Sequence, residues 1–78
     1  MNLSQIGQTV HEARKQRGIT QLKLAELAHV SRYTLIKLEN GTAGDIQFKT
    51  LAAILAALRM EVTVIDRPVS GLRVLGDK

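Results

Sequence analysis

Thr20-Gln21-Leu22-Lys23-Leu24-Ala25-Glu26-Leu27-Ala28-His29-Val30-Ser31-Arg32-Tyr33-Thr34-Leu35-Ile36-Lys37-Leu38-Glu39-Asn40-Gly41 is the stretch whose reading decides the fold. It holds two short helix patterns back to back, with room between them for only a tight turn. Each pattern opens on a hydroxyl residue, Thr20 and Ser31, that can accept from the free N–H groups of a first turn. Apolar Leu24, Ala25, Leu27 and Ala28 recur at helical spacing, and Val30, Leu35, Ile36 and Leu38 do the same. The outward side of the second pattern carries Arg32, Tyr33, Thr34 and Lys37, all hydrogen-bond donors and none acidic.

Composition narrows what such a face can serve. A chain of 78 residues is one domain, and a domain of this size buries only about 60% of its unfolded surface. There is no cysteine, hence neither a disulfide staple nor a thiolate metal site. Aromatic residues make up 3% of the chain, so the core must be built from Leu, Ile, Val and Ala. A modest aliphatic core leaves a small stability margin and favours self-association. No apolar run approaches the ~20 residues of a bilayer span. Met1-Asn2-Leu3-Ser4-Gln5 has neither a basic n-region nor an apolar h-region, so the expectation is a cytoplasmic protein without membrane association. Eleven Lys and Arg against seven Asp and Glu give a net charge of +4, which favours a polyanionic partner only in combination with a motif. Arg14, Lys15, Arg17, Lys23, Arg32, Lys37 and Lys49 all fall in the helical part, against Glu12, Glu26, Glu39 and Asp45.

Working outward, a first helix is expected from Asn2 to Arg17, with Leu3, Ile6, Val10 and Ala13 as its buried stripe. Asn2 and Gln5 have capping-box spacing, and Gly18 ends the helix. Asn40-Gly41 stops the third helix, and Gly41-Thr42-Ala43-Gly44-Asp45 reads as a flexible connector. A fourth helix covers Gln47 to Leu58, with Leu51, Ile54, Leu55 and Leu58 facing inward. The period then changes to two. Met60-Glu61-Val62-Thr63-Val64-Ile65 alternates and is rich in β-branched residues, a strand pattern that Pro68 would end. A lone strand leaves both edges unpaired, so Met60, Val62, Thr63, Val64 and Ile65 are expected to pair with the same strand of a second molecule across a twofold axis. The alternatives are an extended tail or a continuation of the last helix.

Two crossed short helices with a basic outward face are how a helix-turn-helix reads the major groove of double-stranded DNA. The stretch also resembles the phage-repressor type of this motif, the Cro/repressor or XRE family. The resemblance lies in Thr20-Gln21, Leu24-Ala25, Val30-Ser31, Leu35-Ile36 and Leu38-Glu39-Asn40-Gly41. It extends back to Arg14 and Gly18 and forward through Leu51, Leu55 and Leu58. One departure is His29, where the family usually has glycine; histidine tolerates positive φ better than most residues. The fold class expected is therefore mainly α. A four-helix, phage-repressor-like helix-turn-helix domain (residues 1–58) is followed by a dimerising C-terminal β-strand (59–67) and a flexible tail (68–78).

Helix geometry and the resemblance together assign roles. Arg32 is the candidate for bidentate contact with guanine; Thr34 or the Tyr33 ring would meet a thymine methyl, and Lys37 a guanine or a phosphate. Ordinary surface packing is the other reading of Tyr33. The resemblance implies that Gln21 binds phosphate, and that Gln47, Lys49 and Thr50 form a second phosphate-binding place, with Thr42 a weaker candidate. Ser31 serves as a cap, a phosphate contact or both. The resemblance further implies a structural ion pair between Arg14 and Glu39. A recognition helix spans few base pairs, so a homodimer on a palindromic operator is expected, with half-sites ~34 Å apart.

Catalysis is not expected. His11 and His29 lie in different elements without Cys or a carboxylate at ligand spacing, and neither a phosphate loop nor a nucleophile elbow is present. No cofactor or metal is expected. A helix-turn-helix followed by a strand resembles the HipB-type antitoxins, which implies repression of the protein's own operon and a HipA-like kinase toxin as partner. The tail residues Val69, Leu72, Val74 and Leu75 would either fold onto such a partner or pack back on the dimer. A stand-alone phage or plasmid repressor is the main alternative, and a protein-interaction adaptor without a DNA role is the third.

Overall fold

The computed structural model describes residues 2–64 and Asp66. Four helices follow in order: α1 (Leu3–Gln16), α2 (Gln21–Ala28), α3 (Arg32–Glu39) and α4 (Phe48–Ala57). Asn2 and Gln5 form the expected capping box, Asn2 Oδ1 accepting from the Gln5 N–H at 2.9 Å and Gln5 Oε1 from the Asn2 N–H at 2.8 Å. Thr20 Oγ1 caps α2 by accepting from the Lys23 N–H at 3.0 Å, and Ser31 Oγ caps α3 by accepting from the Thr34 N–H at 3.0 Å. Gln47 occupies the cap position of α4 without a side-chain cap bond.

All four helices stop in the same way. Gly18, His29, Gly41 and Arg59 have φ of 68°, 58°, 77° and 62°, all left-handed. After each, the next N–H reaches back five residues. Ile19 donates to Arg14 at 3.3 Å, Val30 to Ala25 at 3.0 Å, Thr42 to Lys37 at 2.9 Å and Met60 to Leu55 at 2.8 Å. These are Schellman endings, which satisfy carbonyls that a helix terminus would otherwise leave open. At His29 the turn keeps the geometry that glycine would supply, at a cost of about 1–2 kcal/mol for a residue bearing a Cβ. The exposed side chain does not add a clash to that cost.

The helices enclose one aliphatic core. Val10, Leu24, Leu35, Leu38, Ile54 and Leu58 are fully buried, and Ala13, Ala25, Ala28, Ala43, Leu51 and Leu55 complete it. Each large member contributes about 1.5–3 kcal/mol. Against a net stability of roughly 5–15 kcal/mol for a domain, no single one of them is dispensable. Leu3 and Ile6 lie partly buried against this core, so the expected stripe of α1 faces inward.

Two expectations are corrected. Leu27 is 48% exposed: the buried stripe of α2 runs through Leu24, Ala25 and Ala28, and Leu27 lies on its flank. The connector after α3 is pinned rather than free. Ala43 is buried in the core, and the Ile46 N–H closes a turn onto the Ala43 carbonyl at 3.0 Å.

After α4, Met60, Val62, Thr63 and Val64 form no strand and carry no strand pairing among the described residues. Ile65 and the tail 68–78 lie outside the described residues. Among the described residues no helix is long and apolar enough to cross a membrane.

One residue sets how closely α1 lies on α3. A Cβ added at Gly7 would stand 1.9 Å from the Leu38 carbonyl oxygen, a backbone atom at the end of α3. Alanine is the better helix former by about 1 kcal/mol, but the contact admits no side chain without moving a helix. Gly7→Ala is therefore expected to lower stability by about 1–3 kcal/mol, as for an overpacked core. Thermal melting followed by circular dichroism measures it; an unchanged or raised Tm would mean that the two helices are not this close.

Candidate nucleic-acid interface

The support of the outward face is a buried carboxylate. The Glu39 side chain, 2% exposed, ends α3 and faces α1. Glu39 Oε2 accepts from Arg14 Nε at 2.7 Å, and Oε1 accepts from Arg14 Nη2 at 3.0 Å, a two-pronged guanidinium–carboxylate contact. Arg14 Nη1 donates to the Ile19 carbonyl at 2.9 Å and so ties down the loop before α2. The ion pair expected from the sequence is present, and it has two further members. His11 Nδ1 lies 2.9 Å from Glu39 Oε1, and Gln21 Nε2 donates to the same oxygen at 3.2 Å. A carboxylate only accepts, so His11 Nδ1 must carry the proton. The 3.2 Å approach of Arg14 Nη2 to that nitrogen is then two donors converging on one oxygen.

Burial alone would raise the Glu39 pKa, but the hydrogen bonds from Arg14, His11 and Gln21, with the charge of Arg14, outweigh it and hold the carboxyl below its usual value. Reciprocally, the hydrogen bond to Glu39 raises the Arg14 pKa against desolvation.

On the outer side of α3, Arg32 is exposed and Tyr33 is 68% exposed. Lys37, one turn on, holds its ammonium 5.0 Å from the centre of the Tyr33 ring. These three point away from the core. Thr34, about 60° round the axis from Lys37, is half-buried and faces α4 on the same flank as Lys37. Its hydroxyl oxygen accepts from Ser31 Oγ at 2.8 Å, so the Ser31 hydroxyl serves the first turn of α3 both as acceptor and as donor.

Between α3 and the start of α4 lies a cleft of about 190 Å³ lined by Thr34, Lys37, Asp45, Ile46, Gln47 and Thr50, with Ala43 at its base. It brings together two of the four expected base-reading residues and two of the expected phosphate contacts. Lys49 is exposed beside it, and Thr42 donates its hydroxyl to the Lys37 carbonyl at 3.3 Å. Gln21 stands apart, half-buried on Glu39.

Three features of this region were not read from the sequence. Asp45 Oδ1 lies 3.8 Å from Lys37 Nζ, Phe48 is 67% exposed at the start of α4, and His11 joins the Glu39 cluster. Local pattern carries no signal for His11 or Asp45, because each acquires its meaning from a residue on another element. The exposed Phe48 was legible as the one apolar residue beside Gln47 and Lys49.

Replacing Glu39 by glutamine would leave the buried guanidinium of Arg14 without a counter-charge, at a cost of about 3–5 kcal/mol. The pH dependence has a definite sign. A carboxyl held low in the folded state contributes stability that is present above its unfolded pKa, near the ordinary 4.5, and lost as pH falls through the lower folded value. Melting temperatures between neutral and acid pH should therefore fall for the parent chain below that point. Glu39→Gln should start lower and lose this component; a Tm equal to the parent's at neutral pH would show the pair to be inconsequential.

A family model described as "Helix-turn-helix domain" matches residues 7–60. One relative, a Mycobacterium tuberculosis protein named "Putative antitoxin HigA2", is 33% identical over 58 residues. The match covers 74% of this chain and 57% of that protein, so the chain spans little more than half the relative's length. The capped pair α2–α3, its left-handed turn at His29 and the match over residues 7–60 lead to one conclusion: this chain belongs to the helix-turn-helix family of Cro/repressor (XRE) type.

Proposed function

We propose that the protein is a sequence-specific transcriptional repressor that binds a palindromic operator as a homodimer, and that it is the antitoxin of a toxin–antitoxin pair which regulates its own operon. The observation that carries the DNA-binding reading is the outward face of α3, where Arg32, Tyr33 and Lys37 project from a helix anchored at its far end by Glu39. Arg32 reads guanine, and Tyr33 and Lys37 contact the neighbouring base edges. Thr34 reaches bases from the rim of the cleft. Gln47, Lys49 and Thr50 hold a phosphate beside that cleft, Ser31 and Thr42 add contacts near it, and Gln21 does the same from α2 with the second N–H of its amide, the first remaining on Glu39.

Similarity to a protein named as an antitoxin supports the second half. The partner proposed is a HipA-like kinase toxin, on the strength of the alternating segment that follows the helix-turn-helix. That relative bears a different antitoxin name, so it supports the class of function and not the kind of toxin. In this reading the protein has no catalytic role, and Met60, Val62, Thr63, Val64 and Ile65 pair across the dimer. A stand-alone repressor shares the same DNA face and differs only in lacking the toxin.

Two experiments test the proposal. Arg32→Ala should cost ~1–3 kcal/mol on an operator selected from randomised duplexes and relax one base position. Lys49→Ala should weaken operator and random DNA alike, with a salt slope lower by about one. Equal losses on both DNAs for Arg32→Ala would remove it from base reading. Separately, mild-salt purification of the tagged protein from its own host should bring down a kinase-like protein in stoichiometric amount; recovery of DNA and self-associated protein alone would leave the stand-alone repressor.

A further inference from the structure

The cleft beside the recognition helix contains one acidic side chain. Asp45 is 86% exposed, yet the segment carrying it is held in place, because Ala43 is buried in the core and Ile46 closes a turn onto it. Its carboxylate stands 3.8 Å from the Lys37 ammonium, which on its other side lies 5.0 Å from the Tyr33 ring centre. Lys37 thus has a π-face on one side and a counter-ion on the other, and its side chain is 30% exposed. A lysine serving as a plain phosphate contact would gain nothing from a carboxylate at that distance.

We propose that Asp45 is a specificity-determining residue of the DNA face: a positioning residue that occupies Lys37 when the DNA is random and gives it up when an operator base replaces it. The inference rests on the DNA-binding reading above and adds to it a reason for one acidic group in a basic face. On random DNA, Lys37 can meet a phosphate only by leaving Asp45, and the Asp45 carboxylate opposes any phosphate entering the cleft from well within the Debye length of about 10 Å at ~0.1 M salt. On an operator, a guanine O6 or N7 presented to α3 takes the place of the carboxylate as the partner of Lys37, a replacement that random DNA does not offer at that position. An exposed ion pair of this kind is weak enough to be exchanged. Asp45 therefore lowers affinity for random DNA more than affinity for the operator, which is specificity obtained by rejecting the wrong partner.

The test uses the full chain and a random-sequence duplex, titrated at several salt concentrations with the parent, Asp45→Asn, Lys37→Gln and the double variant. Asp45→Asn is expected to bind roughly threefold to tenfold tighter near ~0.1 M salt, with a log–log salt slope steeper by about one as Lys37 becomes a phosphate contact. In the Lys37→Gln background the same change should yield less than half of that gain. In selection from a randomised duplex pool, Asp45→Asn should enrich any motif less than the parent does. Equal affinity and slope for the parent and Asp45→Asn would overturn the proposal while leaving the DNA-binding reading intact. So would a gain undiminished without Lys37, or undiminished enrichment. A parent chain with no salt-dependent binding to duplex DNA would overturn the DNA-binding reading, and this inference with it.

Discussion

The carboxylate of Glu39 is the point on which the arrangement of the first three helices depends. It ends α3, it is out of contact with water, and a charge in that position is tolerable only while its oxygens are fully engaged. Arg14 supplies two of the required donors from α1, His11 a third from the same helix, and Gln21 a fourth from the first position of α2. The remaining arm of Arg14 reaches the Ile19 carbonyl in the loop before α2. A single anion therefore refers α1, α2 and their connection to the end of α3. Gly7 lets α1 lie close enough to the end of α3 for the guanidinium to reach, because any side chain there would meet the Leu38 carbonyl.

The consequence for function is a division between the two sides of α3. Its inner side is packed through Leu35 and Leu38 and ion-paired through Glu39, while its outer side presents Arg32, Tyr33 and Lys37. Recognition needs side chains held on elements that do not themselves adjust. The α3–α4 cleft follows from packing: Ala43, buried in the core, pulls the connector inward and brings Asp45, Gln47 and Thr50 to the flank of α3. What looked like a flexible link is the element that sets the position of α4 relative to α3.

Much of this was legible in the chain. The four helices, their caps at Asn2, Thr20 and Ser31, and the helix stops at Gly18 and Gly41 were read from spacing and residue type, and the left-handed turn at His29 from the family resemblance. Arg59, left-handed at the end of α4, had no glycine to announce it. The inward faces of α1 and α4 were also legible, since their periodicity is strong. Leu27 misled because a two-turn helix has too few residues to define the edge of its stripe.

The boundary between what sequence alone determined and what only tertiary structure decided is therefore one of range. Caps, helix stops and buried stripes depend on atoms within about five residues of one another, a distance over which the covalent chain itself confines the geometry. The Glu39 cluster joins residues 18, 25 and 28 positions apart. The carbonyl beneath Gly7 belongs to a different helix, and Asp45 meets Lys37 only because Ala43 is buried between them. Side chains of that separation meet where core packing brings their backbones together, and no local pattern records where that will be.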